Sequence, residues 1–176
     1  MGINILDYIQ NNFRNDNLDE IMVYITRLGD AGIIWIVIAL IIGMLNRKNL
    51  KITIMILLGL SMGLIVGNLV IKNLFMIDRP FIGNPHITLL IDAPLDYSFP
   101  SGHALSSFIS AFIIFYNNKK WGILAIILAL LISFSRMYLY VHYPIDIIAS
   151  IILAIPISLF TIYIVNKIYN KEKLWH

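Results

Sequence analysis

Residues 52–71, ITIMILLGLSMGLIVGNLVI, run through twenty positions without a charged side chain. Wound as an α-helix, that length matches the hydrocarbon thickness of a bilayer. The rest of the chain agrees with it. Of 176 residues, 59% are hydrophobic and only 13% charged, and the mean hydropathy is +0.82. A water-soluble domain of this size needs more polar surface, so the chain reads as an integral membrane protein.

Four further segments carry the same signature. The first span covers 21–45 and is fully apolar only from Ile33 onward. A third runs from Ser101 to Tyr116, a fourth from Trp121 to Tyr140 and a fifth from Pro144 to Val165. Pro156 is expected to kink the last, because it removes a backbone donor and crowds the preceding turn. Gly63 and Gly67, four apart, suit close helix packing. Only Asn117–Lys120 separate the third and fourth spans, which predicts an antiparallel hairpin. At the N-terminus Ile5, Ile9 and Phe13 recur every four residues among polar neighbours, the pattern of a short amphipathic helix on the membrane surface. The expectation is one all-α domain: an interfacial helix over 1–19, a bundle of about five membrane helices over 20–165, and a cytoplasmic tail over 166–176.

Several function classes drop out. There is no cysteine, hence no disulfide framework or thiolate metal site. A net charge of +3 with lysines confined to short loops excludes a nucleic-acid partner. Asp7, Arg14, Asp16, Asp19 and Glu20 interrupt the first twenty residues, so no cleavable signal peptide is expected. Leu6 stands where a myristoylation signal wants Ser or Thr. Arg47, Lys48 and Lys51, then Lys119 and Lys120, then Lys167, Lys171 and Lys173 fall on one side of a five-span topology. The positive-inside rule makes that side cytoplasmic, and the 72–100 loop and 138–143 turn then lie outside the cell membrane.

That outer side carries residues lipid does not tolerate. Lys72 and Arg79 lie in KNLFMIDRP, and Arg136 opens the RMYLYVHYPID stretch. A cation at the bilayer centre costs at least ~2.5–3.5 kcal/mol, so such groups sit at the interface, face a cavity or are paired. The only acids near them in sequence are Asp78 and Asp146, which leaves room for an anion from elsewhere. His103 begins the third span and His142 precedes the fifth. Ser101 and Gly102 fall at a helix start, where free N–H groups and the dipole favour phosphate. Cations, a helix N-terminus and two imidazoles on one face are the ingredients of phosphoryl transfer through histidine. Arg and Lys neutralise the phosphate oxygens. A neutral imidazole attacks phosphorus if a carboxylate orients its other nitrogen, and Asp146 lies four residues after His142. The second imidazole, His103, can protonate the leaving oxygen and later activate water.

KNLFMIDRP fits K-x6-R-P, PSGH is intact, and SRMYLYVHYPID fits S-R-x5-H-x3-D. In this order, each at the outer end of an apolar span, they resemble the type 2 phosphatidic acid phosphatase superfamily of membrane lipid phosphatases, over roughly residues 20–165. The resemblance implies that Lys72, Arg79 and Arg136 hold phosphate with Ser101 and the Gly102 backbone. It also implies that His142 is the nucleophile that becomes phosphohistidine, with Asp146 its orienter and His103 the general acid. No metal or cofactor is implied. Many relatives have six spans against the five counted here. The small size, RLGDAGIIW in the first span and the outward site look similar to bacterial undecaprenyl-diphosphate phosphatases, which regenerate the cell-wall carrier lipid. Phosphatidylglycerophosphate and phosphatidic acid phosphatases share the motifs, and soluble vanadium haloperoxidases are related.

Each residue taken singly has a plainer reading. Lys72 and Arg79 fit snorkelling anchors, Arg136 and Asp146 a structural pair across two spans, His103 and Ser101 helix caps. Arg27 and Asp30, three apart, read as an intrahelical or interhelical ion pair, with substrate contact as the alternative. His86 reads as an exposed loop residue, Trp35 and Trp121 as packing or interfacial residues. Residues 87–91, ITLLI, either dip towards the bilayer near the site or pack as loop. A non-catalytic lipid-phosphate binding or transport protein is the rival from another class, but binding alone requires neither His103 nor a His142–Asp146 pair.

Overall fold

The computed structural model describes residues 2–46 and 49–172, the side chains of 171 and 172 excepted. Arg47, Lys48, Lys173 and His176 lie outside the described residues, as does the Lys171 side chain. All regular structure among the described residues is helical: α1 Gly2–Phe13, α2 Asp16–Leu28, α3 Ile33–Leu45, α4 Leu50–Gly63, α5 Lys72–Phe75, α6 Gly102–Asn117, α7 Lys119–Tyr138 and α8 Pro144–Glu172. Among the described residues, three stretches are long and apolar enough to cross a membrane, Leu50–Gly83, Lys119–Tyr138 and Pro144–Asn170. A fourth joins them if the bent pair α2–α3 is one span. The protein is a multi-pass membrane helix bundle.

The sixteen-residue α6 is the best covered of the bundle helices. Leu105, Ile109 and Ile113 on it are essentially inaccessible, and α4, α7 and α8 surround it. Its fit depends on missing side chains. A Cβ on Gly63 would come 2.6 Å from Ile109 Cδ1, and one on Gly67 2.3 Å from Leu105 Cδ2, so the expected close packing at these two glycines is with α6. A Cβ on Gly122 would come 2.2 Å from Phe115 Cα. The α6–α7 hairpin is tight for the same reason: Asn118 alone joins the two helices, and its side chain accepts from the Trp121 N–H at 3.2 Å. On α7 the small residues Gly122, Ala125 and Ala129 face inward, while Ile123, Ile127 and Leu130 are about half exposed on the lipid side. Bundle helices in lipid gain from close backbone approach, so the small face turns inward.

Three expectations need correction. The first span is neither single nor straight. It starts at Asp16, capped by Asn15, and breaks at Gly29–Gly32 with a bend of 46°. Ala31 (φ 49°) and Gly32 (φ 69°) take the left-handed conformation that ends a helix there. The second span does not stay α-helical. Leu64–Ile71 winds as a π-helix into α5, with the Lys72 N–H bonded to the Gly67 carbonyl. Such wide turns are frequent at functional sites. Finally, α1 is helical but buries Leu6 and Ile9 against the protein, while Ile5 and Phe13 face outward. Gln10 Nε2 donates to the Tyr138 carbonyl at 2.6 Å, and the Tyr140 hydroxyl donates to Asp7 at 2.6 Å, so α1 is strapped to the end of α7. Helix α8 carries Pro156 inside one continuous helix and runs seven residues past Val165.

Because Phe115 would meet a residue-122 side chain with backbone atoms that cannot rotate away, Gly122→Ala should lower stability by about 1–3 kcal/mol. The check is the thermal midpoint in detergent, which should fall for Gly122→Ala and stay near wild type for Leu130→Ala on the lipid face.

Candidate active site

Helix direction brings the motifs together. The π-helical segment leads into Lys72 at the start of α5, α6 begins at Gly102, α7 ends at Arg136 and Tyr138, and α8 begins at Pro144. Alternating helices place these four termini at one end of the bundle, around a cavity of about 1030 Å³. Lys72, Arg79, Gly102, His103, Arg136 and His142 all line it. Lys72, Arg79 and Arg136 are each no more than 4% exposed.

Arg79 uses its whole fork. Nε donates to the Asp96 carbonyl (2.8 Å), Nη2 to Asp96 Oδ1 (2.6 Å), and Nη1 to the Val141 carbonyl (2.8 Å). Nη1 also lies 3.2 Å from His142 Nε2. A guanidinium only donates, so Nε2 is the acceptor and the His142 proton sits on Nδ1. That nitrogen is 3.3 Å from Asp146 Oδ2, the i, i+4 carboxylate, although Pro144 starts the helix between them. Asp146 Oδ2 is itself held by the Tyr143 N–H (2.9 Å) and by the Ser98 hydroxyl, which donates to it. The tautomer thus turns the Nε2 lone pair to Arg79 Nη1, and His142 borders the cavity. Burial first, then the positive charges of Arg79, Arg136 and Lys72, holds the His142 imidazole well below its ordinary pKa, so the ring is neutral at physiological pH.

Arg136 donates through Nη1 to Thr26 Oγ1 at 2.6 Å, and its Nε is buried without a hydrogen-bond partner. The expected alternative of an Arg136–Asp146 pair is not formed, since Asp146 is turned to His142 and Ser98. Ser101 caps α6, accepting from the Ala104 N–H at 3.5 Å. Its side chain is fully buried and is not part of the cavity wall, where Gly102 is. His103 Nε2 is 2.9 Å from Asp30 Oδ1. The Arg27–Asp30 pair expected from an unbroken helix is therefore replaced, because the break at Gly29 turns Asp30 towards α6. Both residues line the cavity.

Reasoning from sequence missed Asp96 and Ser98. Asp96 bridges Lys72 Nζ (2.5 Å) and Arg79 (2.6 Å), so the acid that Lys72 and Arg79 lacked comes from the loop before PSGH. Burial works against its ionisation, but the bond and charge of Lys72, with the charge of Arg79, outweigh it and hold the Asp96 carboxyl below the usual range. The loop is pinned by the Ser98 N–H on the Ile77 carbonyl at 2.7 Å, and Leu89–Ile91 form part of the cavity wall. Among the remaining sequence candidates, His86 is exposed, Trp35 is buried with Nε1 donating to Ser107, and Trp121 is 61% exposed.

Buried cations around a neutral imidazole backed by a carboxylate are groups of the kind that phosphoryl transfer requires. Comparison with known proteins agrees: the chain matches the PAP2 superfamily over residues 52–170 and belongs to that family of membrane phosphatases; it is a hydrolase. It is 34% identical over 148 residues to an undecaprenyl-diphosphatase of Sulfolobus acidocaldarius, covering 84% of this chain and 70% of that one. It is 31% identical over 144 residues to the undecaprenyl-diphosphatase BcrC of Bacillus subtilis, covering 82% and 73%. In fold it is similar to Aquifex aeolicus LpxE, with a TM-score of 0.79 at 22% identity over 92% of this chain and 94% of that one. It is also similar to a PAP2-type phosphatidylglycerolphosphate phosphatase of Bacillus subtilis, with a TM-score of 0.72 at 25% identity over 97% and 85%.

The Asp96 carboxylate occupies donors of Lys72 and Arg79 that an incoming anion would otherwise take. Asp96→Asn should therefore make inorganic phosphate a several-fold stronger competitive inhibitor, read from inhibition constants in detergent. Weaker inhibition would mean that Asp96 orders the cations more than it competes for them.

Proposed function

We propose that this protein is a metal-independent lipid phosphatase that removes the terminal phosphate of undecaprenyl diphosphate through a phosphohistidine on His142. The observation that carries the reading is the lining of a single cavity by Lys72, Arg79, Arg136, His103 and His142. Substrate class is supported by the names of the curated relatives.

In the first half-reaction the Nε2 lone pair of His142 forms a bond to phosphorus. The bond from phosphorus to the leaving oxygen breaks, and that oxygen keeps the electron pair and takes a proton from His103. Lys72, Arg79 and Arg136 bind the three oxygens of the transferring group and stabilise their spread charge. Asp146 balances the cationic phosphoimidazole by holding Nδ1–H. In the second half a water oxygen attacks phosphorus and passes its proton to His103. The P–N bond then breaks with its electron pair returning to Nε2, and inorganic phosphate leaves. Ser101 acts by capping the helix whose Gly102 N–H faces the phosphate.

The site end is assigned to the outside of the cell membrane. Lys51, Lys119, Lys120 and Lys167 all lie at the opposite helix ends, which supports a cytoplasmic location for that end. Within this scheme residues 1–19 form the interfacial strap, 20–165 the catalytic bundle and 166–176 the cytoplasmic tail.

Phosphate release from undecaprenyl diphosphate, phosphatidylglycerophosphate and phosphatidic acid, measured in one detergent with excess chelator, tests the proposal. Undecaprenyl diphosphate should be preferred at least ~10-fold in kcat/KM, a difference of about 1.4 kcal/mol in transition-state binding. His142→Ala should lose ~10³-fold or more, and Arg136→Ala ~10²–10³-fold. Preference for phosphatidylglycerophosphate would move the assignment to that lipid. Full activity of His142→Ala would end the nucleophile reading.

A further inference from the structure

The helix break between α2 and α3 is built around one imidazole. Gly29 is the residue at which any side chain would strike His103: a Cβ there would sit 2.6 Å from His103 Cδ2 and 2.8 Å from Ile132 Cγ2. The next residue, Asp30, places Oδ1 2.9 Å from His103 Nε2. Ala31 then holds a left-handed conformation at φ 49°, uncommon for a residue with a side chain, before Gly32 lets the chain continue into α3. A conformation of that kind is unfavourable for a residue with a side chain and persists where its surroundings require it. Straightening the break would carry the carboxylate away from α6. The His103 side chain is 18% exposed and that of Asp30 56% exposed, so the pair sits at the mouth of the cavity with the carboxylate on the solvent side.

We propose that Asp30 is a positioning residue for His103: its carboxylate holds Nε2–H and leaves Nδ1 as the nitrogen that gives its proton to the leaving oxygen. The inference rests on the reading of His103 as the general acid. The proton balance is simple. While His103 carries both protons, Nε2–H stays with Asp30 and Nδ1–H goes to the oxygen whose bond to phosphorus is breaking. The neutral ring that remains still donates Nε2–H to Asp30, and its bare Nδ1 takes the proton of the attacking water. Asp30 touches no reacting atom; it keeps the ring from turning and places a negative charge beside it while it is cationic, among the positive charges of Arg79 and Arg136. The site then contains two histidines, each held by a carboxylate on the nitrogen that does no chemistry: His142 by Asp146 within the 138–146 region, His103 by Asp30 from a segment 73 residues away.

A general acid matters most when the leaving group is a poor one. The test compares a long-chain alkyl phosphate, whose alkoxide needs the proton, with 4-nitrophenyl phosphate, whose phenolate does not. Asp30→Ala in the full-length protein should lower kcat/KM on the alkyl ester about 10- to 100-fold, the lower part of the range for general acid catalysis. On the nitrophenyl ester the loss should be under about threefold. Gly29→Ala, which displaces the ring and leaves the carboxylate in place, should give the same asymmetry. Combined with His103→Ala, Asp30→Ala should add no further loss. Equal losses on both esters, or none on either, overturn the proposal. The single variant His103→Ala separates the causes. If it shows the asymmetry and Asp30→Ala does not, the fault lies with Asp30. If it shows none, the general-acid reading itself fails.

Discussion

Lys72, Arg79 and Arg136 are buried side by side at one end of a membrane bundle, and their mutual repulsion has to be offset within a few ångströms. A buried charge without compensation costs several kcal/mol even after the protein relaxes. Asp96 compensates two of the three, and it does so with a side chain that remains 54% exposed. The carbonyls of Asp96 and Val141 take two more donors of Arg79. Among the described residues the Arg136 guanidinium is hydrogen-bonded to the Thr26 hydroxyl alone. Compensation is therefore incomplete, and that deficit is what a phosphate group can supply. The loop before PSGH, the turn before α8 and the end of α2 each lie where they contribute one of these partners.

The chemistry of His142 follows from the same cluster. A cation beside an imidazole nitrogen disfavours its protonation, and Arg79 can only donate, so Nε2 is left as a lone pair pointing at the cations. Behind the ring, Asp146 is held by a backbone N–H and the Ser98 hydroxyl, and both fix where Nδ1–H points. A phosphate that takes up the donors of Arg79 is thereby brought next to Nε2. In the proposed reaction, phosphate binding and the orientation of His142 as nucleophile would come from one set of contacts.

The motif residues were legible because each sits at the end of an apolar run. A lysine, arginine or histidine there has few structural uses, and helix direction alone takes all of them to one side. Asp96 was not legible. It is 24 residues from Lys72 and 17 from Arg79, in a loop with no periodicity, next to the fully exposed Leu95. Asp30 was misread for a different reason: the i, i+3 rule assumes a continuous helix, and two glycines flanking a left-handed alanine break it. The N-terminal helix was expected, but its buried stripe runs through Leu6 and Ile9. What selects the buried face is contact with Tyr138 and Tyr140, which spacing alone does not reveal.

From the sequence by itself follow the membrane class, the all-α bundle, the end of the bundle at which the charges gather, and the identities of the cations and imidazoles. These depend on hydropathy and on helix rise and direction, which are properties of local stretches. Only the tertiary structure decided which further partners serve the charged groups: Asp96 for Lys72 and Arg79, Asp30 for His103, and Ser98 for the Asp146 that spacing had already paired with His142. Hydrogen bonds act over about 3 Å, and the groups that meet across that distance are set by loop paths, a π-helical turn and a helix break. None of these leaves a periodic mark in the chain.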